Sequence, residues 1–72
     1  MMSKKEREFV EISLSSKSRD EWLAKLNEAG ISENYMRLLI HRLRKKEVQA
    51  EKDLRLLREL WVKLEELGYQ WR

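Results

Sequence analysis

From Glu8 to Leu14 the chain alternates, with Val10, Ile12 and Leu14 on one side and Phe9, Glu11 and Ser13 on the other. A period of two with β-branched residues on the inward side predicts a β-strand, and it is the one strand signal in the sequence. A lone strand leaves its backbone N–H and C=O groups unpaired, so it needs a strand from a second chain. Ser15-Ser16-Lys17-Ser18 then interrupts the pattern. Ser18 followed by Glu21 reads as a capping box, with Asp20 adding first-turn negative charge. The helix so started carries Trp22, Leu23, Leu26 and Ala29 on one stripe and stops at Gly30. Ser32 is the expected N-cap of a second helix with the stripe Met36, Leu39, Ile40 and Leu43.

Between Arg44 and Gln49 the apolar stripe lapses. It resumes as a heptad-like seam through Ala50, Leu54, Leu57, Trp61 and Leu64, widened by Leu56, Leu60 and Leu67. One long helix and a bend at 44–49 both fit that lapse. Gly68 ends the last helix and leaves Tyr69 and Trp71 in a short tail.

Composition narrows what can hold such a chain together. At 72 residues a single chain buries only about 60% of its unfolded surface, and scaffolds of this size usually need a staple. Cysteine is absent and His41 is the single histidine, which leaves neither a disulfide nor a metal site, and no cofactor is expected. A second subunit is the staple that remains. Charged residues make up 40% of the chain, well above the roughly 25% of ordinary domains. Glu51, Arg55, Glu59 and Lys63 alternate in sign at i, i+4 spacing, as on an exposed helix face. Such a composition matches hyperthermophile intracellular proteins and designed helical chains alike. A virus or plasmid of a hot-environment host is an expected source.

The net charge is +3, gathered as Lys4, Lys5 and Arg7 near the N-terminus and as Arg37, Arg42, Arg44, Lys45 and Lys46 mid-chain. Clusters like these suit a phosphate-bearing partner, and equally a solvated face. No apolar run approaches 18 residues and no signal-peptide core is visible, so a soluble protein in the cytoplasm of a prokaryotic host, without a membrane partner, is expected.

Strand, serine-rich junction, short helix, Gly30-Ile31-Ser32 turn and second helix, over Val10 to about Lys46, resemble the ribbon-helix-helix repressor family of Arc, MetJ and CopG type. The resemblance implies a mainly α fold with one β-strand, in which two chains share an intermolecular antiparallel ribbon as an intertwined homodimer. It implies a flexible basic arm over 1–7, a ribbon-helix-helix core over 8–46 and a C-terminal helical extension over 47–72. Val10, Ile12, Leu14, Trp22, Leu26, Met36, Leu39, Ile40 and Leu43 would form the dimer core. Phe9, Glu11 and Ser13, with Arg7 at the edge, would face the major groove. Ser32 and the backbone N–H groups of Glu33 and Asn34 would take a phosphate, and Arg37, Arg42 and Lys45 would add basic contacts. The function implied is a homodimeric transcriptional regulator binding DNA.

That ribbon face departs from the family, which offers Arg, Lys, Asn, Gln or Thr there. Glu11 is repelled by phosphates, and an exposed Phe9 suits a protein as well as a base. The alternative is therefore a dimer that binds protein or RNA without duplex DNA. A helix-turn-helix around Gly30, with Ala29, Ile31, Met36 and Leu39 in its apolar positions, is a further reading. It leaves the alternation at 8–14 unexplained and needs more helices around it. A helical hairpin dimerising through 50–64 meets the same objection. No Ser/His/acid set, paired-carboxylate pocket or glycine-rich phosphate loop is present, so the protein is not expected to be an enzyme. Trp22 and Trp61 read as core, Trp71 as an anchor on the partner or an exposed contact. The third helix reads as added stability, with tetramerisation or recruitment of another protein as its other role.

Overall fold

A computed structural model describes residues 2–45 and 51–69. Four helices follow one another: α1 Lys4–Ser15, α2 Arg19–Glu28, α3 Glu33–Lys45 and α4 Glu51–Glu66. No residue among those described is in a strand. The expected strand at 8–14 is the second half of α1, and with it the intermolecular ribbon and the ribbon-helix-helix fold are overturned.

The reason lies at the start of α1. Ser3 Oγ accepts from the Glu6 N–H at 3.2 Å, and the Glu6 carboxylate accepts from the Ser3 N–H at 2.7 Å. This reciprocal capping box satisfies first-turn donors and starts a helix through Lys-, Glu- and Arg-rich sequence. The basic segment expected as a flexible arm is therefore tied down from Ser3 onward. The buried positions of α1 are Glu6, Phe9, Val10 and Ser13, a spacing of 3, 1 and 3. Two of the four are polar, so a search for apolar residues at helical spacing passes over them, whereas Val10, Ile12 and Leu14 alternate over too short a stretch to define a strand. Ser15 and Ser16 close the helix, both hydroxyls donating to the Ile12 carbonyl at 3.2 and 2.6 Å.

The second helix starts as expected, with a shift in detail. Ser18 Oγ accepts from the Glu21 N–H at 3.2 Å. The Glu21 carboxylate returns to the Lys17 N–H at 2.9 Å rather than to Ser18, and meets Lys25 at 3.0 Å. The Lys17 N–H first, and then Lys25, hold the Glu21 carboxyl below the usual carboxylate range.

Each of the two glycines sits in the left-handed region just past a helix. At Gly30 (φ +76°) the Ile31 N–H reaches the Leu26 carbonyl at 2.9 Å and the Gly30 N–H reaches Asn27 at 3.1 Å. At Gly68 (φ +80°) the same pair of bonds runs from Tyr69 to Leu64 and from Gly68 to Glu65. Both are Schellman motifs, which require a positive φ at that residue.

Helix α1 packs against α2, α3 and α4. The residues expected to form a dimer core instead form the core of a single chain. Val10, Trp22, Leu26, Met36, Leu39, Ile40 and Leu43 are buried together with Phe9, while Ile12 and Leu14 lie half-buried at its margin. Leu57, Leu60, Leu64 and Leu67 of α4 and its exit belong to the same cluster. The buried stripe of α4 is rotated from the expected seam: Leu54 is exposed and Trp61 half-buried. Ala50 and Trp71, and most of the questioned break at 44–49, lie outside the described residues. A radius of gyration of 11.4 Å is close to the roughly 11 Å of a compact chain of this length, as a self-contained core requires.

Two longer-range bonds fasten the helix ends. Lys5 Nζ donates to the Ala29 carbonyl at 3.1 Å, joining the start of α1 to the exit of α2. Arg19 donates to the Gly68 carbonyl at 2.6 Å, joining the start of α2 to the exit of α4. Trp22 stands at the centre, its ring 6.5 Å from both Phe9 and Tyr69, and its Nε1–H donates to Ser13 Oγ at 2.9 Å.

Candidate nucleic-acid interface

Four residues, Ala29 to Ser32, connect α2 to α3. Gly30 makes the turn, and Ile31 is buried behind it with Leu26. Ser32 then caps α3: its Oγ accepts from the Tyr35 N–H at 3.2 Å and its carbonyl from the Met36 N–H at 2.8 Å. The inward stripe Met36, Leu39, Ile40 and Leu43 holds α3 on the core. At about 100° per residue this places Asn34, Leu38, His41 and Lys45 along the opposite side, with Arg37 and Arg44 on one flank and Arg42 on the other. All of these are exposed except Arg37, which is half-buried.

Charge is concentrated on this helix. Four basic residues against one acidic residue make α3 +3, equal to the net charge of the whole chain. The acidic residue, Glu33, stands in the first turn and pairs with Arg37 at 3.1 Å. The stripe from Asn34 to Lys45 is about 16 Å long, the rise of roughly five base pairs. The stripe and its flanks include side chains that read bases in a major groove: the Asn34 amide suited to adenine, flanking guanidinium groups suited to guanine and the apolar Leu38 suited to a thymine methyl.

The residues expected to touch nucleic acid divide sharply. Ser32, Asn34, Arg37, Arg42 and Lys45 come together on α3 and its cap. Arg7, Phe9, Glu11 and Ser13 do not form a reading face. Phe9 and Ser13 are 0% exposed and face inward, whereas Arg7 and Glu11, four residues apart, share the exposed side of α1. With Phe9 and Ser13 in the core, the ribbon face that suggested a protein or RNA partner is absent. Leu38, 43% exposed, and His41 were not among the expected contacts, although they continue the stripe from Asn34 at helical spacing. The signal was available as the complement of the Met36–Leu43 stripe; an exposed leucine is easily assigned to the core by its side-chain type alone.

The objections to a helix-turn-helix lose their basis in this arrangement. Residues 8–14 are helical, and α1 and α4 supply the additional helices around α2 and α3.

Among the described residues no group of three His, Cys, Asp or Glu side chains is placed to hold a metal ion, and no helix is long and apolar enough to cross a membrane. No family model, curated protein or solved structure matches the chain.

Proposed function

We propose that the protein binds nucleic acid, duplex DNA first, through a helix-turn-helix formed by α2 and α3, with α3 as the helix that enters the major groove, and that it acts as a transcriptional regulator. The observation that carries this reading is the outward face of α3, where Asn34, Leu38, His41 and Lys45 are flanked by three arginines and the buried stripe beneath holds the helix in place. A major groove about 12 Å wide admits one α-helix. Lys45, Arg42, Arg44 and Arg37 supply phosphate contacts along both edges, and Asn34 and Leu38 meet base edges near the start of the helix. Glu33 holds Arg37 by an ion pair across one turn, which preorganises the guanidinium and leaves a charge to be displaced when a phosphate approaches.

The test is a fluorescence-anisotropy titration with genomic duplex fragments over a range of salt concentrations. If the four basic residues each meet a phosphate, log affinity falls against log salt with a slope of about −3.6, and Arg42→Ala reduces that slope by about one for every sequence. Leu38→Ala leaves the slope alone and changes sequence preference. Absence of binding to duplex at low salt overturns the reading, and binding to single-stranded RNA alone replaces its partner.

A further inference from the structure

We propose that Leu38 reads the C5-methyl group of thymine, and so restricts the partner of α3 to duplex DNA that carries thymine at the contacted position. Thymine recognition rests on α3 being the helix that enters the groove, and it names what the apolar member of that face selects. At about 100° per residue Leu38 stands about 160° round the helix from both Met36 and Ile40, so the core does not call for an apolar residue there. It is 43% exposed, the one exposed large hydrophobic side chain among the described residues of α3. Its neighbours one turn away in either direction are Asn34, Tyr35, His41 and Arg42. None of them is a carboxylate, and Tyr35 is half-buried. The side chains of Asn34, His41, Arg42 and Lys45 make no hydrogen bond or ion pair among the described residues. Glu33, the acidic residue of the helix, lies on the Arg37 flank and is paired with it.

A partner for this face must combine negative charge, groups that meet an amide and a small apolar spot. A protein interface is built around a cluster of apolar side chains. Here one leucine stands among polar groups, and Leu23 of α2 lines the cleft with Glu33, Met36 and Arg37, off the outward stripe. A second copy docking by the same face would bring two basic helices together. The major groove of DNA supplies all three features between its phosphate edges. Of the four bases, thymine alone presents an apolar group there, its C5-methyl, beside the O4 acceptor. Uracil lacks that methyl, and the deep, narrow major groove of an RNA helix does not admit side chains. The chemistry of Leu38 therefore favours thymine-bearing DNA over RNA. The contact covers a single methyl group, so it sets which base is preferred, while the cations around it set the overall affinity.

An anisotropy titration of the full chain tests the proposal with genomic duplex fragments made with thymidine, and with the same fragments made with deoxyuridine in its place. Removal of the methyl is expected to weaken binding to the tightest fragment by about fourfold, the effect of burying one methyl-sized group. The salt slope stays unchanged, because no phosphate is altered. Leu38→Ala and Leu38→Gln each bind the thymidine and deoxyuridine forms alike. The position is exposed, and unchanged helical circular dichroism verifies that each variant is folded. Equal affinity of the unsubstituted chain for both forms overturns the proposal and leaves duplex binding by α3 standing. A loss on methyl removal that persists in both variants also overturns it, since another side chain or the altered shape of the duplex then senses the methyl. Absence of binding to either duplex, or binding to RNA or to an acidic protein alone, overturns it together with the nucleic-acid reading of α3 as a DNA-binding helix.

Discussion

Ser13 shows how much a single side chain's surroundings decide. A serine among Val10, Ile12 and Leu14 reads as the polar side of a strand, yet it is fully buried and receives the Trp22 indole N–H at 2.9 Å. Its hydroxyl is the acceptor that lets a large aromatic ring enter the core without leaving a buried donor unpaired. Ser13→Ala removes that acceptor while adding no useful apolar contact. The expected loss is about 1–3 kcal/mol, the cost of a buried donor left without a partner. Urea denaturation checks this as a lower midpoint with an unchanged slope. A substitution that altered only nucleic-acid sequence preference, with the midpoint unmoved, would contradict the placement of Ser13 in the core.

Among the elements, the helix boundaries divide into those visible in local sequence and those that are not. Ser18, Ser32, Gly30 and Gly68 all mark helix ends where their residue types suggest, because caps depend on bonds within a few residues. The start of α1 follows the same rule at Ser3 and Glu6, and the alternation downstream obscured it. The turn between α2 and α3 carries a prediction of its own. Nothing lies within 4 Å of a Cβ built on Gly30, so Gly30→Ala meets no steric obstacle and its cost is conformational. It should destabilise the fold by about 1–2 kcal/mol, the penalty of an L-residue at positive φ, and Gly30→Asn by less. Thermal or urea unfolding of the two variants side by side checks both the magnitude and the order.

For the whole molecule, the decisive change is from a shared core to a private one. Of the apolar side chains that a ribbon-helix-helix dimer would share, Val10, Trp22, Leu26, Met36, Leu39, Ile40 and Leu43 are buried against this chain's own helices and Ile12 and Leu14 are half-buried at the margin, with α4 completing the cluster. A core closed by the chain's own helices predicts folding without association. At concentrations where the chain sediments as a monomer, its unfolding midpoint should stay constant over a tenfold dilution; an obligate dimer loses stability on dilution by mass action. A midpoint that falls steadily with dilution in that range would restore a shared core.

Local chemistry explains which parts were legible from sequence alone. Helices α2 and α3, their caps, the glycine turn between them and the inward stripe Met36–Leu43 follow from hydrogen bonds and spacing within a few residues, and so does the basic character of α3. The absence of cysteine follows from composition. What only the tertiary structure decided is which side of α1 faces in, the rotation of the α4 stripe and that α4 closes one core with α1, α2 and α3. These depend on contacts between residues far apart in sequence, such as Trp22 with Ser13 and Tyr69, and Arg19 with Gly68. Of the two polar residues buried on α1, Glu6 is satisfied locally by the Ser3 N–H, whereas Ser13 is stable there because the fold brings the Trp22 indole N–H to it, a partner that a one-dimensional pattern of apolar and polar positions does not contain.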